Sequence, residues 1–138
     1  MAVRRRAGFT LVELSVALAV AAVLLTIAWP SLREPLLRSR RADAVAALTR
    51  IQLAQEQYRA LHGRYAERLD GLRGAAGPRS AEGLYELELH AAGGQRYEAL
   101  ARPRAGSAVD GDARCPVLRL QVDDGRARLA PDNRCWNR

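Results

Sequence analysis

The sequence predicts an α+β fold in which a long N-terminal helix packs on a four-stranded antiparallel sheet. Three observations support this prediction. The chain begins with a long apolar run, continues with an amphipathic helical pattern, and ends with strand-like alternation that turn residues interrupt. Its 138 residues correspond to one domain with an appendage, and 49% of them are apolar, which is enough to form a core.

The charge of the chain comes from 22 basic residues, all of them arginine, against 15 acidic ones, for a net charge of +7. The absence of lysine excludes Schiff-base catalysis and lysine-dependent phosphate loops. Arginines cluster at 4–6, before the apolar run, and again just after it, at Arg33, Arg38, Arg40 and Arg41. The first cluster favours membrane orientation, whereas the second is compatible with either a membrane or a nucleic acid.

The apolar run covers residues 9–29 and contains a single charged side chain, Glu13. About 20 helical residues suffice to cross a bilayer, so the run predicts a membrane helix whose N-terminus stays in the cytoplasm. The alternative is a cleavable secretory signal with a small-residue site at 26–28. Such signals have apolar cores of roughly 7–15 residues, and a carboxylate near the start of the run is costly in lipid, so both features argue against it.

The segment RRRAGFTLVEL, residues 4–14, resembles the class III signal of type IV pilins and pseudopilins. That signal is a basic leader ending in glycine, followed by phenylalanine and an apolar helix with glutamate at its fifth position. Gly8, Phe9 and Glu13 occupy these positions here. The resemblance implies that a prepilin peptidase cuts between Gly8 and Phe9 and methylates the new amine of Phe9. Loss of the three leader arginines would lower the net charge from +7 to +4.

Glu13 has a physical role that fits this family. In a staggered helix bundle, the carboxylate of one subunit lies beside the Phe9 amine of the next, and the pair offsets both desolvation costs. We therefore expect Glu13 to set the register of filament assembly. The alternative is a carboxylate that reaches the membrane interface without a partner.

The resemblance also implies a division of the chain into five segments. They are a leader at 1–8, a transmembrane and filament-core helix at 9–30, an amphipathic second half of the helix at 31–65, a connecting loop at 66–83, and a β head with a disulfide region at 84–138. Pro30 and Pro35 predict a kink, because proline removes a helix hydrogen bond. Pilins carry a proline at the first position but usually not at the second, so a regular helix through 31–34 is not expected.

Residues 36–62 carry the helical periodicity. The predicted buried stripe consists of Ala44, Ala47, Leu48, Ile51, Ala54, Gln55, Tyr58 and Leu61, and Gly63 is the expected C-cap. The stretch from 38 to 66 resembles PilE-like minor pilins, with its SRRADA start and its Q-x-x-Y-x-x-x-x-G-x-Y finish.

Four strands are predicted at 84–90, 95–101, 117–122 and 126–130. Gly93-Gly94 marks one turn, and Asp124-Gly125 is a strong hairpin signal. Cys115 and Cys135 flank the second hairpin. In an exported protein they are expected to form a disulfide, whose loop of about 20 residues is worth roughly 3 kcal/mol. In pilins the corresponding bridge bounds a C-terminal region that is exposed on filaments.

The sequence shows no catalytic constellation and no cofactor motif, so we do not expect an enzyme. His62 and His90 are isolated, and we expect both to lie on the surface. Two cysteines and two distant histidines are too few for a typical zinc site. The resemblance implies a type IV pilus subunit, a minor pilin in preference to a major one. It would enter or prime a filament that serves pilus biogenesis, twitching motility, adhesion or DNA uptake.

The partners implied are other pilin subunits, the prepilin peptidase, the inner-membrane assembly platform and, before assembly, membrane lipid. The chain would be a single-pass protein of the bacterial inner membrane and afterwards part of an extracellular pilus. Arg38, Arg40 and Arg41 are candidate contacts for DNA or lipid. A second option is that they contact acidic residues of neighbouring subunits, such as Glu34 or Asp43.

Two other functions remain open at this stage. A type II secretion pseudopilin shares the N-terminal signal and often binds calcium, for which Asp110, Asp112, Asp123 and Asp124 are available, although the cysteine pair favours a pilin. A DNA-binding pilin needs basic and aromatic residues on the exposed head. The residues that could supply them are Arg96, Arg102, Arg104, Arg114, Arg126, Arg128, Arg134 and Trp136.

Overall fold

The computed structural model describes residues 10–75 and 77–137, except for the side chains of 29–31. Its elements are helix α1 (Leu11–His62), a 3-10 helix (Leu69–Gly71), and strands β1 (Tyr85–Ala92), β2 (Arg96–Pro103), β3 (Leu118–Asp123) and β4 (Arg126–Ala130). This order confirms the predicted α+β fold. The chain divides into two units, residues 1–35 and residues 36–138, and we call the second unit the head.

The N-terminal unit is helical from Leu11 onward. Thr10 caps the helix, because its Oγ1 accepts the backbone N–H of Glu13 at 3.2 Å. The segment Leu11–Ala28 has a mean hydropathy of 2.5, and none of it is buried within the structure. It is therefore long and apolar enough to cross a membrane, as predicted for this part of the chain.

Helix α1 continues through Pro30 and Pro35 without interruption. The prediction that residues 31–34 would not form a regular helix is therefore wrong. A proline removes the single hydrogen bond of its own missing N–H, and the turns on either side of it still propagate the helix. The kink at these two prolines stays a prediction.

The core of the head is a single hydrophobic cluster that contains side chains of both the helix and the sheet. From the helix, Ala44, Ala47, Leu48 and Ile51 are fully buried, as the stripe predicted. Leu61 was predicted to lie on the same stripe, but this prediction is wrong, since 82% of the residue is exposed. Leu61 lies in the last turn of the helix, where residues 60–62 are all exposed.

The buried polar member of the stripe, Gln55, joins the helix to the connecting loop. Its side-chain amide donates to the carbonyl of Ala66 at 2.9 Å and accepts the N–H of Ala66 at 2.8 Å. Gly63 ends the helix with φ of 70° and donates its N–H to the carbonyl of Arg59 at 2.8 Å. Both features explain how the chain turns sharply after α1.

The sheet is an antiparallel meander in the order β1-β2-β3-β4, as predicted. Asp124 and Gly125 join β3 to β4 with φ of 46° and 78°, the positive values that a type I′ turn requires. Alternate residues of β3 are buried and exposed. The sheet therefore has an inner face against the helix and a polar outer face.

Candidate functional site

The predicted processing site, Gly8 and Phe9, lies outside the described residues. Glu13 lies in the first turn of α1, and its side chain is exposed in the isolated subunit. A carboxylate at this end of a helix is favoured by the positive end of the helix dipole. The carboxylate is therefore accessible to any group that packs beside the start of the helix.

Cys115 and Cys135 form the predicted disulfide. Both cysteines are fully buried. An aspartate precedes each of them by three residues and accepts its backbone N–H. Asp112 Oδ1 accepts from Cys115 at 3.3 Å, and Asp132 Oδ1 accepts from Cys135 at 3.0 Å. Each end of the bridge is therefore held in a capped turn.

Arg41 is buried in the head and not exposed as predicted. Its Nε and Nη2 donate to Asp112 Oδ2 and Oδ1 at 2.7 and 2.9 Å. The two side chains are only 1% and 2% exposed. The prediction that Arg41 contacts DNA or lipid is therefore wrong. A signal for this burial was present, since Arg41 precedes Ala44 by three positions and so lies on the buried stripe.

The positive charge of Arg41 stabilises the ionised form of Asp112. Burial by itself would raise the pKa of Asp112, but the hydrogen bonds and charge of Arg41, together with the N–H groups of Cys115 and Arg114, hold it below its ordinary value. Burial and the nearby charge of Asp112 raise the pKa of Tyr85 to about 12. Near neutral pH, Asp112 is thus ionised and Tyr85 is a neutral phenol.

The same helical turn makes two further attachments. Arg40 Nη1 donates to the carbonyl of Ala108 at 2.8 Å, and Asn137 Nδ2 donates to the carbonyl of Arg38 at 3.2 Å. The side chain of Arg38 is exposed, and Arg40 is half-buried. Residues 38–41 therefore connect the helix to the loop before β3 and to the C-terminal segment.

The outer face of the sheet carries three arginines that pair with acidic residues on neighbouring strands. The pairs are Arg102 with Glu88 at 2.8 Å, Arg119 with Glu98 at 3.2 Å, and Arg96 with Asp123 at 3.3 Å. All three lie at the surface, where such pairs stabilise the fold by about 0–1 kcal/mol. These pairs neutralise the charges of the three arginines on the outer face of β2 and β3.

Two arginines on this face are different. Arg126 and Arg128 lie on the edge strand β4, both are exposed, and neither forms an ion pair within the described part of the chain. With Arg96, His90 and Ala92 they line an open groove of about 360 Å³ on the sheet. The groove is also lined by Glu98 and Asp123, the acidic partners of Arg119 and Arg96. The edge strand thus presents two guanidinium groups that have no ion pair among the described residues.

None of the aromatic residues that the structure describes in the head is exposed. Among the described residues of the head, Tyr65, Tyr85, Tyr97 and Trp136 are buried, and Tyr58 is half-buried. The expectation that Trp136 could be part of an exposed DNA-binding surface is wrong. Its Nε1 instead donates to the carbonyl of Ala130 at 2.9 Å, which ties the C-terminal segment to β4.

The two histidines lie at the surface, as expected. His62 Nδ1 is 2.9 Å from the carbonyl of Tyr58, and the two rings stack at 4.0 Å. His90 is 3.3 Å from Glu88 Oε2. Within residues 10–75 and 77–137, no group of three or more His, Cys, Asp or Glu side chains is arranged to hold a metal ion. Asp112, one of the aspartates considered for calcium, is committed to Arg41.

Comparison with known families decides between the interpretations left open by the sequence. Residues 30–119, about two thirds of the chain, match the family described as type IV minor pilin ComP, DNA uptake sequence receptor. The chain belongs to this family of minor pilins. Residues 3–29 match the prokaryotic N-terminal methylation motif, which confirms the class III signal. No curated protein sequence matches the chain.

Membership of this family confirms the predicted type IV minor pilin. The methylation motif and the apolar helix indicate that the minor pilin is anchored in a membrane before it enters a pilus. The residues beyond the matched range, 120–138, hold Arg126, Arg128, Cys135 and Trp136. The groove on β4 therefore extends past the part of the chain that the family match covers.

Proposed function

We propose that this minor pilin binds double-stranded DNA at the surface of a pilus during DNA uptake, and that Arg126 and Arg128 on β4 make the main phosphate contacts. The family's description as a DNA uptake sequence receptor supports DNA binding, whereas Arg126 and Arg128 lie beyond the matched residues 30–119 and are proposed from the structure. The observation that carries it is the pair of exposed arginines without ionic partners among the described residues. Unpaired arginines do not have to give up an existing ion pair when they bind a phosphate.

The spacing of these arginines suits a nucleic-acid backbone. Alternate residues of a strand point to the same side and are about 7 Å apart, so Arg126 and Arg128 face the same ligand. Guanidinium groups bind phosphate oxygens bidentately and release condensed counterions. Such contacts fix the position of DNA but do not read its sequence.

The burial of the aromatic residues favours duplex over single-stranded DNA. Proteins that bind single strands stack bases on exposed aromatic rings. The described part of the head offers no such ring, since its most accessible aromatic residue, Tyr58, is half-buried and stacks on His62. Recognition through phosphates and groove shape needs no stacking platform.

Replacing both arginines by alanine is expected to weaken DNA binding by the head, residues 36–138. This fragment contains every residue of the buried core and the disulfide, so it is suited to experiments in solution. Each phosphate contact contributes about 0.9 to the slope of log K against log salt, so R126A/R128A should reduce the slope by about 2. Fluorescence anisotropy with a labelled duplex measures this slope.

The matched control for this experiment is R50A/R68A, which removes the same charge from exposed positions away from β4. It should keep the slope of the unmodified head within experimental error. If R126A/R128A kept the full slope as well, β4 would not be the DNA contact. If the unmodified head bound no duplex at any salt concentration, the proposed function itself would fail.

Assembly is the second part of the proposal. A prepilin peptidase cuts between Gly8 and Phe9, the Phe9 amine is methylated, and the subunit then joins other pilins through its apolar helix at an inner-membrane assembly platform. The methylation motif at residues 3–29 supports these steps. The arginines at 4–6 support an N-terminus in the cytoplasm, which would leave the head on the other side of the membrane.

Replacing Glu13 by valine is expected to leave the processed protein in the membrane and to lower its amount in filaments at least tenfold. The Phe9 amine of a neighbouring subunit would lose its carboxylate partner in an apolar environment. Immunoblots of sheared filaments and of membranes measure the two pools. Glu13→Asp, which keeps the charge, should restore part of the incorporation, and equal incorporation of Glu13→Val would contradict the role in register.

A further inference from the structure

We infer that Gln121 reads one base pair of the bound duplex, through a bidentate hydrogen bond to the major-groove edge of an adenine. Gln121 lies on β3, beside the proposed phosphate contacts Arg126 and Arg128 on β4. The inference rests on the proposed function and adds a specificity-determining residue to it. Phosphate contacts hold a duplex whatever its sequence, so a preference for one sequence needs a second kind of contact.

Gln121 belongs to a row of side chains that crosses the outer face of the sheet. The strand register places it directly opposite Glu98 of β2 on one side and Arg128 of β4 on the other. Gln121 and Arg128 are both exposed, and both line the groove on the sheet. Neighbouring strands are about 4.8 Å apart, so a ligand bound by Arg128 lies within reach of Gln121.

The side-chain amide of Gln121 is held by a carboxylate. Its Nε2 donates to Glu98 Oε1 at 2.8 Å. An ionised carboxylate only accepts hydrogen bonds, so the NH2 group of Gln121 faces Glu98 and its carbonyl oxygen does not. Glu98 Oε1 is itself 3.2 Å from Arg119 Nε, which fixes the carboxylate in turn. The amide therefore has a preferred orientation before DNA binds.

The rest of this amide matches adenine. Within the described part of the chain, Nε2 donates to Glu98 alone, so the second N–H and the Oε1 of Gln121 remain accessible at the surface. In the major groove adenine presents the acceptor N7 beside the donor N6, and a glutamine amide pairs with both at once. Guanine presents two acceptors, N7 and O6, so Oε1 would face another acceptor. Gln121 is thus suited to distinguish adenine from guanine.

The charges around Gln121 are compatible with the approach of DNA. The two acidic residues of the groove, Glu98 and Asp123, are paired with Arg119 and Arg96. Beyond them the edge strand β4 supplies two exposed arginines. A neutral amide therefore lies just inward of two basic side chains. In protein–DNA complexes, basic side chains position the duplex through its phosphates, and neutral hydrogen-bonding groups beside them can specify a base.

The first test is selection of duplexes from a random-sequence pool by the head, residues 36–138. The enriched duplexes should share an invariant A·T pair, and the head should prefer them to a duplex of scrambled sequence by about fivefold or more. Gln121→Ala should abolish this preference and leave the affinity for the scrambled duplex and its salt dependence unchanged. The matched control Gln57→Ala removes an exposed amide on α1 and should keep the preference.

The second test changes single atoms of the DNA. Replacing the invariant adenine by 7-deazaadenine removes the N7 acceptor and keeps the base pair, so it should weaken binding of the unmodified head by about fivefold but not that of Gln121→Ala. The charge-neutral variant E98A/R119A removes the group that orients the amide. It should lower the preference several-fold at an unchanged salt slope, which a purely structural role of this ion pair does not predict.

Three results would overturn the inference and leave the proposed function in place. They are duplex binding without any enriched sequence, a preference that survives Gln121→Ala, and an equal effect of 7-deazaadenine on Gln121→Ala and on the unmodified head. A surviving preference would assign the discrimination to DNA shape. Failure of the unmodified head to bind any duplex would instead refute the proposed function and this inference together. Thermal unfolding by circular dichroism shows whether each variant is folded.

Discussion

Arg41→Met is expected to lower the free energy of unfolding of the head by about 3–5 kcal/mol. The substitution keeps much of the side-chain volume but leaves the carboxylate of Asp112 buried without its partner. Asp112 would then retain only backbone N–H donors near the disulfide. Urea denaturation of the head, residues 36–138, followed by circular dichroism, measures the loss.

Two further variants separate the buried charge from other effects. R41M/D112L removes both charges and should recover most of the lost stability, because an apolar pair replaces an ion pair with little net cost. Arg119→Met breaks an exposed pair with Glu98 and should cost less than about 1 kcal/mol. Equal losses for Arg41→Met and Arg119→Met would contradict a stabilising role for the buried Arg41–Asp112 ion pair.

The pH dependence of stability provides a second readout of the same pair. The pKa of Asp112 is lowered in the folded head, so its stabilising contribution is complete above the unfolded value of about 3.9 and is lost as the pH falls through the lower folded value. The unmodified head should therefore lose stability steeply in this acidic range. The double variant R41M/D112L should lack this component.

Removal of the disulfide is the second large effect that we expect. The variant C115S/C135S should lose roughly 3 kcal/mol of stability, since the bridge closes a loop of about 20 residues in the unfolded chain. For a head of this size, such a loss lowers the melting temperature by more than about 10 °C. Differential scanning calorimetry measures the shift.

The disulfide and the Arg41–Asp112 ion pair are also expected to be coupled. Asp112 contacts both Arg41 and the N–H of Cys115, so loss of the bridge loosens the segment that holds the carboxylate. The loss in a triple variant, C115S/C135S with Arg41→Met, should therefore be smaller than the sum of the separate losses. A strict sum would show that the two features act independently, and a melting shift below 3 °C for C115S/C135S would contradict a structural role for the bridge.

Local patterns in the sequence were sufficient to predict the sheet. Alternation predicted β3, because side chains on one face of a strand meet the core and those on the other meet water. Asp124-Gly125 predicted its hairpin, because only this type of dipeptide readily adopts two positive φ values. The disulfide followed from having just two cysteines, Cys115 and Cys135, in an exported chain.

Three of the errors concern side chains whose environment depends on distant parts of the chain. Arg41 was expected at a surface because arginine is rarely buried, but its partner Asp112 lies 71 positions away. Trp136 was expected to be exposed near the C-terminus, yet its indole reaches back to β4. Leu61 follows the helical period, but the period does not show where the covering core ends. Periodicity predicts which face of a helix is buried, whereas the residues that cover this face are known only from the tertiary fold.

The most direct test of DNA binding by this minor pilin is uptake of labelled duplex DNA by cells of the native host. A strain whose only copy carries R126A/R128A is compared with the unmodified strain and with R50A/R68A. We predict that all three place the subunit in sheared filaments in equal amounts, and that R126A/R128A alone takes up DNA at least tenfold less well. Unchanged uptake in R126A/R128A, with the subunit present in filaments, would contradict the proposal that β4 is the DNA-binding surface.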